Sequence, residues 1–142
     1  MSQENVAIVK RIATHINPLL ARGDVAELRN FLTKFFANDF VMTLVDGPAD
    51  QPDAFHGREA ALQYWAATAD IFDDYHREID ELVDVGDWVV SVGHWIGRGK
   101  ASGAEVKGRG ATAFRLRDGK VVEYIVGYPT KDAALEAVGL RE

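Results

Sequence analysis

Cysteine is absent from the 142 residues, which excludes disulfides, thiolate metal sites and thiol nucleophiles and suits a reducing compartment. No segment approaches the ~18 consecutive apolar residues of a membrane span. The opening residues Met1 to Asn5 lack the basic start and apolar run of a signal peptide, so a cytoplasmic protein with no membrane partner is expected. Acids outnumber bases to a net charge of −6, which argues against nucleic acid, and the short Lys107 to Arg109 cluster does not reverse that. Four histidines, His15, His56, His76 and His94, show no ligand spacing on one element, so no metal and no cofactor is expected. What remains is a chain with 47% apolar residues and no repeat or linker, long enough for one domain over residues 1–142 that buries roughly 70% of its unfolded surface.

The richest stretch runs from Glu78 to Tyr128. Asp118-Gly119 between two alternating runs is a strong hairpin signal, because a type I′ turn needs positive φ at both central residues. It pairs Arg117 with Lys120. Gly86-Asp87 is a second two-residue turn, with glycine first as a type II′ turn requires, and pairs Val85 with Trp88. The loop from Lys100 to Ala104 is looser. Its register is chosen to keep apolar residues on one common face, which sets Trp88 opposite Leu116. The resulting four-stranded antiparallel sheet has a core face with Ile79, Val83, Val85, Trp88, Val90, Val92, Ile96, Phe114, Leu116, Val121 and Ile125. Glu81, His94, Thr112 and Glu123 interrupt it. The row of His94 runs through Ile79, Gly110 and Gly127, so the two glycines predict an open space beside the imidazole.

Helices precede and follow. The spacing of Val9, Ile12, Ile16, Leu19 and Leu20 predicts a helix from Val6 to Leu20, which Pro18 should kink or end near Asn17 and Gly23 should stop. Asp24 with Glu27 has capping-box spacing ahead of a second helix. Phe40 to Val45 reads as a short strand ending at Asp46-Gly47-Pro48, and Ala49 to Phe55 as a loop that rims a site. A third helix spans Gly57 to Phe72. A last one, Lys131 to Val138, is capped by Thr130 and closed by Gly139. The order gives an α+β fold with the helices gathered on one face of a curved sheet.

Five stretches in order then carry a resemblance across nearly the whole length: Ala21 to Asp24 with Leu28, Phe36 to Phe40, Phe55 to Ala60, Asp84 to Val90, and Phe114 to Glu123 with the ending Ala133 to Leu140. Together they resemble the nuclear transport factor 2-like superfamily, in its SnoaL-like and ketosteroid-isomerase-like branch. The resemblance implies a cone-shaped curved antiparallel sheet packed against three N-terminal-half helices with a short C-terminal helix, an apolar pocket between sheet and helices, and frequent dimers through the outer sheet. Members acting on polyketides typically carry an acid just after the last strand, where this chain has Tyr128-Pro129.

The candidate catalytic residues follow from that face. His94 is the one group there able to change charge near neutral pH, Glu81 lies diagonal to it, and Tyr64 on the third helix offers a phenol. The plainer reading of His94 is a satisfied core histidine. Val92, Gly110, Thr112, Ile125, Gly127, Trp65 and Thr68 are the expected pocket lining. No nucleotide fingerprint is present, since Gly97-Arg98-Gly99 lies in a hairpin arm, and Ser91 and Ser102 have no nearby base. Three functions stay open: a cofactor-independent isomerase, cyclase or dehydratase; a pocket that binds an apolar small molecule; or an assembly module. The second sheet face, with Leu82, Val89, Trp95, Tyr124 and Val126, predicts a homodimer interface.

Overall fold

The computed structural model describes residues 2–45 and 54–141. Along the chain run α1 (Ser2–Arg22), α2 (Val25–Phe35), β1 (Phe36–Leu44), β2 (Ala54–His56), α3 (Arg58–Ile71), β3 (Phe72–Val85), β4 (Trp88–Gly99), β5 (Glu105–Arg117), β6 (Lys120–Tyr128) and α4 (Lys131–Arg141). The six strands form one sheet in the order β2-β1-β6-β5-β4-β3, curved but not closed, in an α+β cone. All neighbours are antiparallel except β1 and β6, which run parallel. The Asp46 turn and most of the loop expected from Ala49 lie outside the described residues.

Local signals act as their chemistry requires. Asp24 caps α2 by accepting from the Glu27 amide at 3.1 Å, and Thr130 Oγ1 accepts from the Ala133 amide at 3.1 Å ahead of α4. Gly23, at φ 64°, closes α1 in the left-handed conformation. Asp118 and Gly119 both have positive φ, and only the glycine of Gly86-Asp87 does, as the two hairpin types demand.

Two helix boundaries differ from the expected ones. Pro18 lies inside α1 instead of ending it. Its missing donor and ring clash cost about 3 kcal/mol. Burial of Ile16, Leu19 and Leu20 offsets that, as do two bonds between Asn17 and the Arg77 main chain, Asn17 Nδ2 donating to the Arg77 carbonyl at 2.8 Å and the Arg77 N–H donating to Asn17 Oδ1 at 2.9 Å. Gly139 does not close α4, which runs on to Arg141. Strands also reach further than periodicity shows: β1 begins at Phe36 and β3 at Phe72.

The largest correction is one of register. Trp88 pairs with Arg115, not Leu116, so β3 and β4 are shifted by one residue against β5 and β6. Side chains alternate with period two, so that slip exchanges the faces of two strands. The choice of a single apolar face fails because both faces are covered. Under α1, α2 and α3 lies a core that includes Phe36, Phe40, Trp65, Val89, Phe114, Leu116, Val121 and Tyr124, with Leu82 and Val126 packed against it. On the opposite face α4 covers a second cluster of Trp88, Val90, Ala111, Ala113 and Ile125, with Ala134 and Val138 from the helix. The helices are thus divided between the two faces.

Leu82, Val89, Trp95, Tyr124 and Val126 therefore occupy the concave side of the cone. Val89 is 0% and Tyr124 3% exposed, so these two offer no surface to a second chain, while Leu82, Trp95 and Val126 are half-buried.

Candidate functional site

Two bulges in β3 set the site. One lies between Asp73 and His76, with Asp74 in the left-handed region at φ 57°, and the other between Ile79 and Glu81. Between them Arg77 pairs with Trp95 and faces the concave side. Tyr124, which pairs with Phe114 further up the cone, points to the same side. Two rows separate them on the sheet, Ile79-Gly93-Gly110 and Leu82-Ser91-Thr112-Val126. The long side chains close that gap: Arg77 Nη1 donates to Tyr124 Oη at 2.7 Å. Asn17 fixes the main chain of Arg77 from α1, so helix and strand hold the residue from both ends.

Around this pair lies a cavity of about 170 Å³ between α1 and the sheet. Val9, Ile12, Ala13 and Ile16 form its helical wall, and Phe36, Trp65, Trp95 and Phe114 its aromatic one. Arg77, Tyr124, Ser91 and Thr112 are polar groups on its concave side. A wider depression of about 850 Å³ beside the Asp118-Gly119 turn is walled by Asp39, Asp87, Arg115, Arg117 and Asp118, charges that largely cancel. The smaller cavity is the candidate site, because an apolar enclosure with a few convergent polar groups is what fixes and orients a small molecule.

Arg77 is half-buried and borders the cavity. The Tyr124 phenol raises its pKa above the ordinary arginine value, burial acts to lower it, and Tyr75 adds to the rise. The guanidinium is charged at every accessible pH. Among the described residues no carboxylate forms an ion pair with it. A half-buried cation beside an apolar cavity, with phenols as its neighbours among the described residues, gains from a further acceptor. Tyr64 has its pKa raised, chiefly by burial, and so remains a protonated phenol.

The sequence-based candidates are placed as follows. His94 borders the cavity through its position beside Gly93, but its imidazole belongs to the convex face. There Nε2 meets Glu78 and Nδ1 meets Asp80, each at 3.2 Å. Its carboxylate partners are these two, not Glu81, which pairs with Lys131 at 2.9 Å. The physical reason is again the one-residue register, together with the second bulge, which swings Asp80 beside the ring. Tyr64 and Thr68 lie on α3 and are not among the residues lining the cavity; the Thr68 hydroxyl bonds the Tyr64 carbonyl, and the Tyr64 ring meets Phe55 at a tilt and lies within electrostatic reach of Arg77 and Tyr124. Val92 and Ile125 belong to the cluster under α4. Trp65, Gly110, Thr112 and Gly127 do border the cavity.

The two glycines do not leave a void, however. A Cβ on Gly110 would lie 2.8 Å from the Tyr128 carbonyl, and one on Gly127 would lie 2.7 Å from that of Val45. Gly127 also has φ 108°. Both are required by close backbone approach, so valine at 127 would disturb the sheet instead of merely filling space. Arg77 and Tyr124, which build the polar end, were missed because the assumed register turned Tyr124 outward. The available signal was an arginine in an alternating strand with three tyrosines in the chain able to meet it.

Among the described residues no three His, Asp or Glu side chains are grouped to ligate a metal ion, and no helix is long and apolar enough to cross a membrane.

Comparison with known proteins agrees with this architecture. The model of the SnoaL-like domain matches residues 12–124. A SnoaL-like polyketide cyclase candidate from Jannaschia sp. CCS1 is 23% identical with a TM-score of 0.68, over 87% of this chain and 83% of its own. An NTF2-like protein of unknown function from Burkholderia pseudomallei is 17% identical, with a TM-score of 0.72 over 95% of each chain. A protein with the ketosteroid isomerase-like fold from Catenulispora acidiphila, solved with trimethylamine, is 21% identical with a TM-score of 0.65, over 90% and 92%. At these identities the likeness is one of fold. No curated protein matches the chain.

Proposed function

The chain belongs to the SnoaL-like domain family, and from that premise we propose that it is a small-molecule-binding protein whose ligand enters the concave cavity and sets a polar oxygen against Arg77 and Tyr124. The observation that carries this reading is the charged guanidinium at the wall of an apolar cavity, bonded to a phenol and to no carboxylate among the described residues. Such a pair stabilises a negative or strongly polarised oxygen, in a setting where low dielectric strengthens the interaction.

A second reading has a specific observation in its favour. A phenol that accepts from a guanidinium can pass its own O–H to an enolate or other oxyanion, so a cofactor-independent isomerase, cyclase or dehydratase would use Tyr124, polarised by Arg77, as its electrophilic group. Binding is the better-supported conclusion, because among the described residues the one acid bordering the cavity is Glu78, and its carboxylate is engaged with His94 and His76 on the convex face. A proton-abstracting group aimed into the cavity is not found among the described residues.

Trp65 and Trp95 both border the cavity, so their fluorescence reports its occupancy. Benzyl alcohol should quench or shift it saturably in the unaltered protein. Ala13→Phe, which places a ring into the cavity from α1, should abolish that response with the fold retained. An unchanged response in this variant would place binding elsewhere.

A further inference from the structure

Resting on the cavity reading above, we propose that the ligand class is a compact organic anion, a carboxylate on a body of about one ring, rather than a neutral or polycyclic molecule. Three independent features lead there.

The first is charge. Arg77 faces the cavity from the concave side, whereas Glu78 and Arg109 share the register row of His94 and turn to the convex face, and among the described residues Glu78 is the one acid at the cavity border. The cavity thus presents uncompensated positive charge inside a protein whose net charge is −6. A ligand carboxylate supplies the missing counter-ion, and an uncompensated half-buried charge gains more from such a partner than an exposed one does.

The second is geometry. A guanidinium carries five N–H donors in a planar fork that matches a carboxylate with two parallel bonds. Tyr124 takes up one donor of Nη1. Ser91 and Thr112, cross-strand partners on the rows between Arg77 and Tyr124, border the cavity, and neither hydroxyl is a buried group lacking a partner. They add two short donors at the same polar end.

The third is volume. At about 170 Å³ the cavity is close to the ~150 Å³ of an apolar protein cavity that admits benzene, and well below the roughly 300–1,000 Å³ of pockets for drug-sized ligands. A fused polycyclic body does not fit without displacing α1 from the sheet. Asn17, bonded twice to the Arg77 main chain, resists that displacement.

Calorimetric titration with benzoate, benzyl alcohol and anthracene-2-carboxylate tests charge and size separately. The unaltered protein should bind benzoate at least tenfold more tightly than either of the other two. Arg77→Met should lose that preference and still bind benzyl alcohol, and Tyr124→Phe should reduce it less. Should Arg77→Met fail to fold, the ratio of benzoate to benzyl alcohol on the unaltered protein decides the question of charge alone. Equal affinity for those two would overturn the anion assignment while leaving the cavity reading intact. Anthracene-2-carboxylate binding as tightly as benzoate would overturn the size limit. Binding of none of the three would remove the assignment together with the cavity reading beneath it.

Discussion

On the concave face of the sheet a guanidinium stands among apolar and aromatic side chains with a phenol as its acceptor. One backbone thickness away, on the convex face, His94 sits between Glu78 and Asp80 while Lys131 meets Glu81. The convex charges are at least partly exposed and paired, an arrangement worth ~0–1 kcal/mol per contact that asks for no functional explanation. The concave charge is half-buried beside an apolar cavity and has no carboxylate partner among the described residues. The group that looks catalytic in the sequence, a histidine with carboxylates, is on the ordinary side. The group on which the proposed binding rests is an arginine.

The largest expected effect tests whether both faces are cores. Trp88 on the convex side and Phe36 on the concave side are 2% and 0% exposed. Trp88→Ala and Phe36→Ala should each lower unfolding free energy by about 3–5 kcal/mol in urea titration. A loss below about 1 kcal/mol for Trp88→Ala alone would mean that α4 does not close the convex face.

Next in size is the contrast within the concave pair. Tyr124→Phe removes the acceptor of a charged donor and should destabilise the ligand-free protein by about 1.5–3 kcal/mol. Arg77→Met removes the charge itself and should leave stability unchanged or raise it by about 1 kcal/mol, because no half-buried ion remains to be compensated. Since the guanidinium does not titrate, the difference between the two variants should stay constant from pH 5 to pH 9. Strong destabilisation by Arg77→Met would show that the arginine serves the fold.

The smallest effect belongs to the convex cluster. His94→Ala should cost under about 1 kcal/mol in thermal or urea unfolding and leave the Trp fluorescence response to benzyl alcohol as it is. Loss of that response would return His94 to the site and erase the contrast between the faces.

Much of this was legible beforehand wherever one short segment settles the matter. Asp24 and Thr130 cap their helices, Asp118-Gly119 and Gly86-Asp87 turn their hairpins with the expected pairings, and the order of elements gives the α+β cone. In each case the free energy that decides the geometry resides in a few adjacent residues, through a hydrogen bond or a positive φ. The sequence by itself therefore determined the elements other than the short β2, which falls partly within the expected loop, together with two of the three hairpin registers and the family. Tertiary structure decided the third register, across Lys100 to Ala104, where Gly103 at φ 70° and its amide bond to the Gly99 carbonyl at 2.8 Å close the turn. It also decided which face each side chain joins, because α1 to α3 bury one face and α4 the other, and alternation alone cannot rank two faces that are both apolar. The meeting of Arg77 with Tyr124, 47 residues apart, depends on that choice, since a shift of one residue would have left them on opposite sides of the sheet.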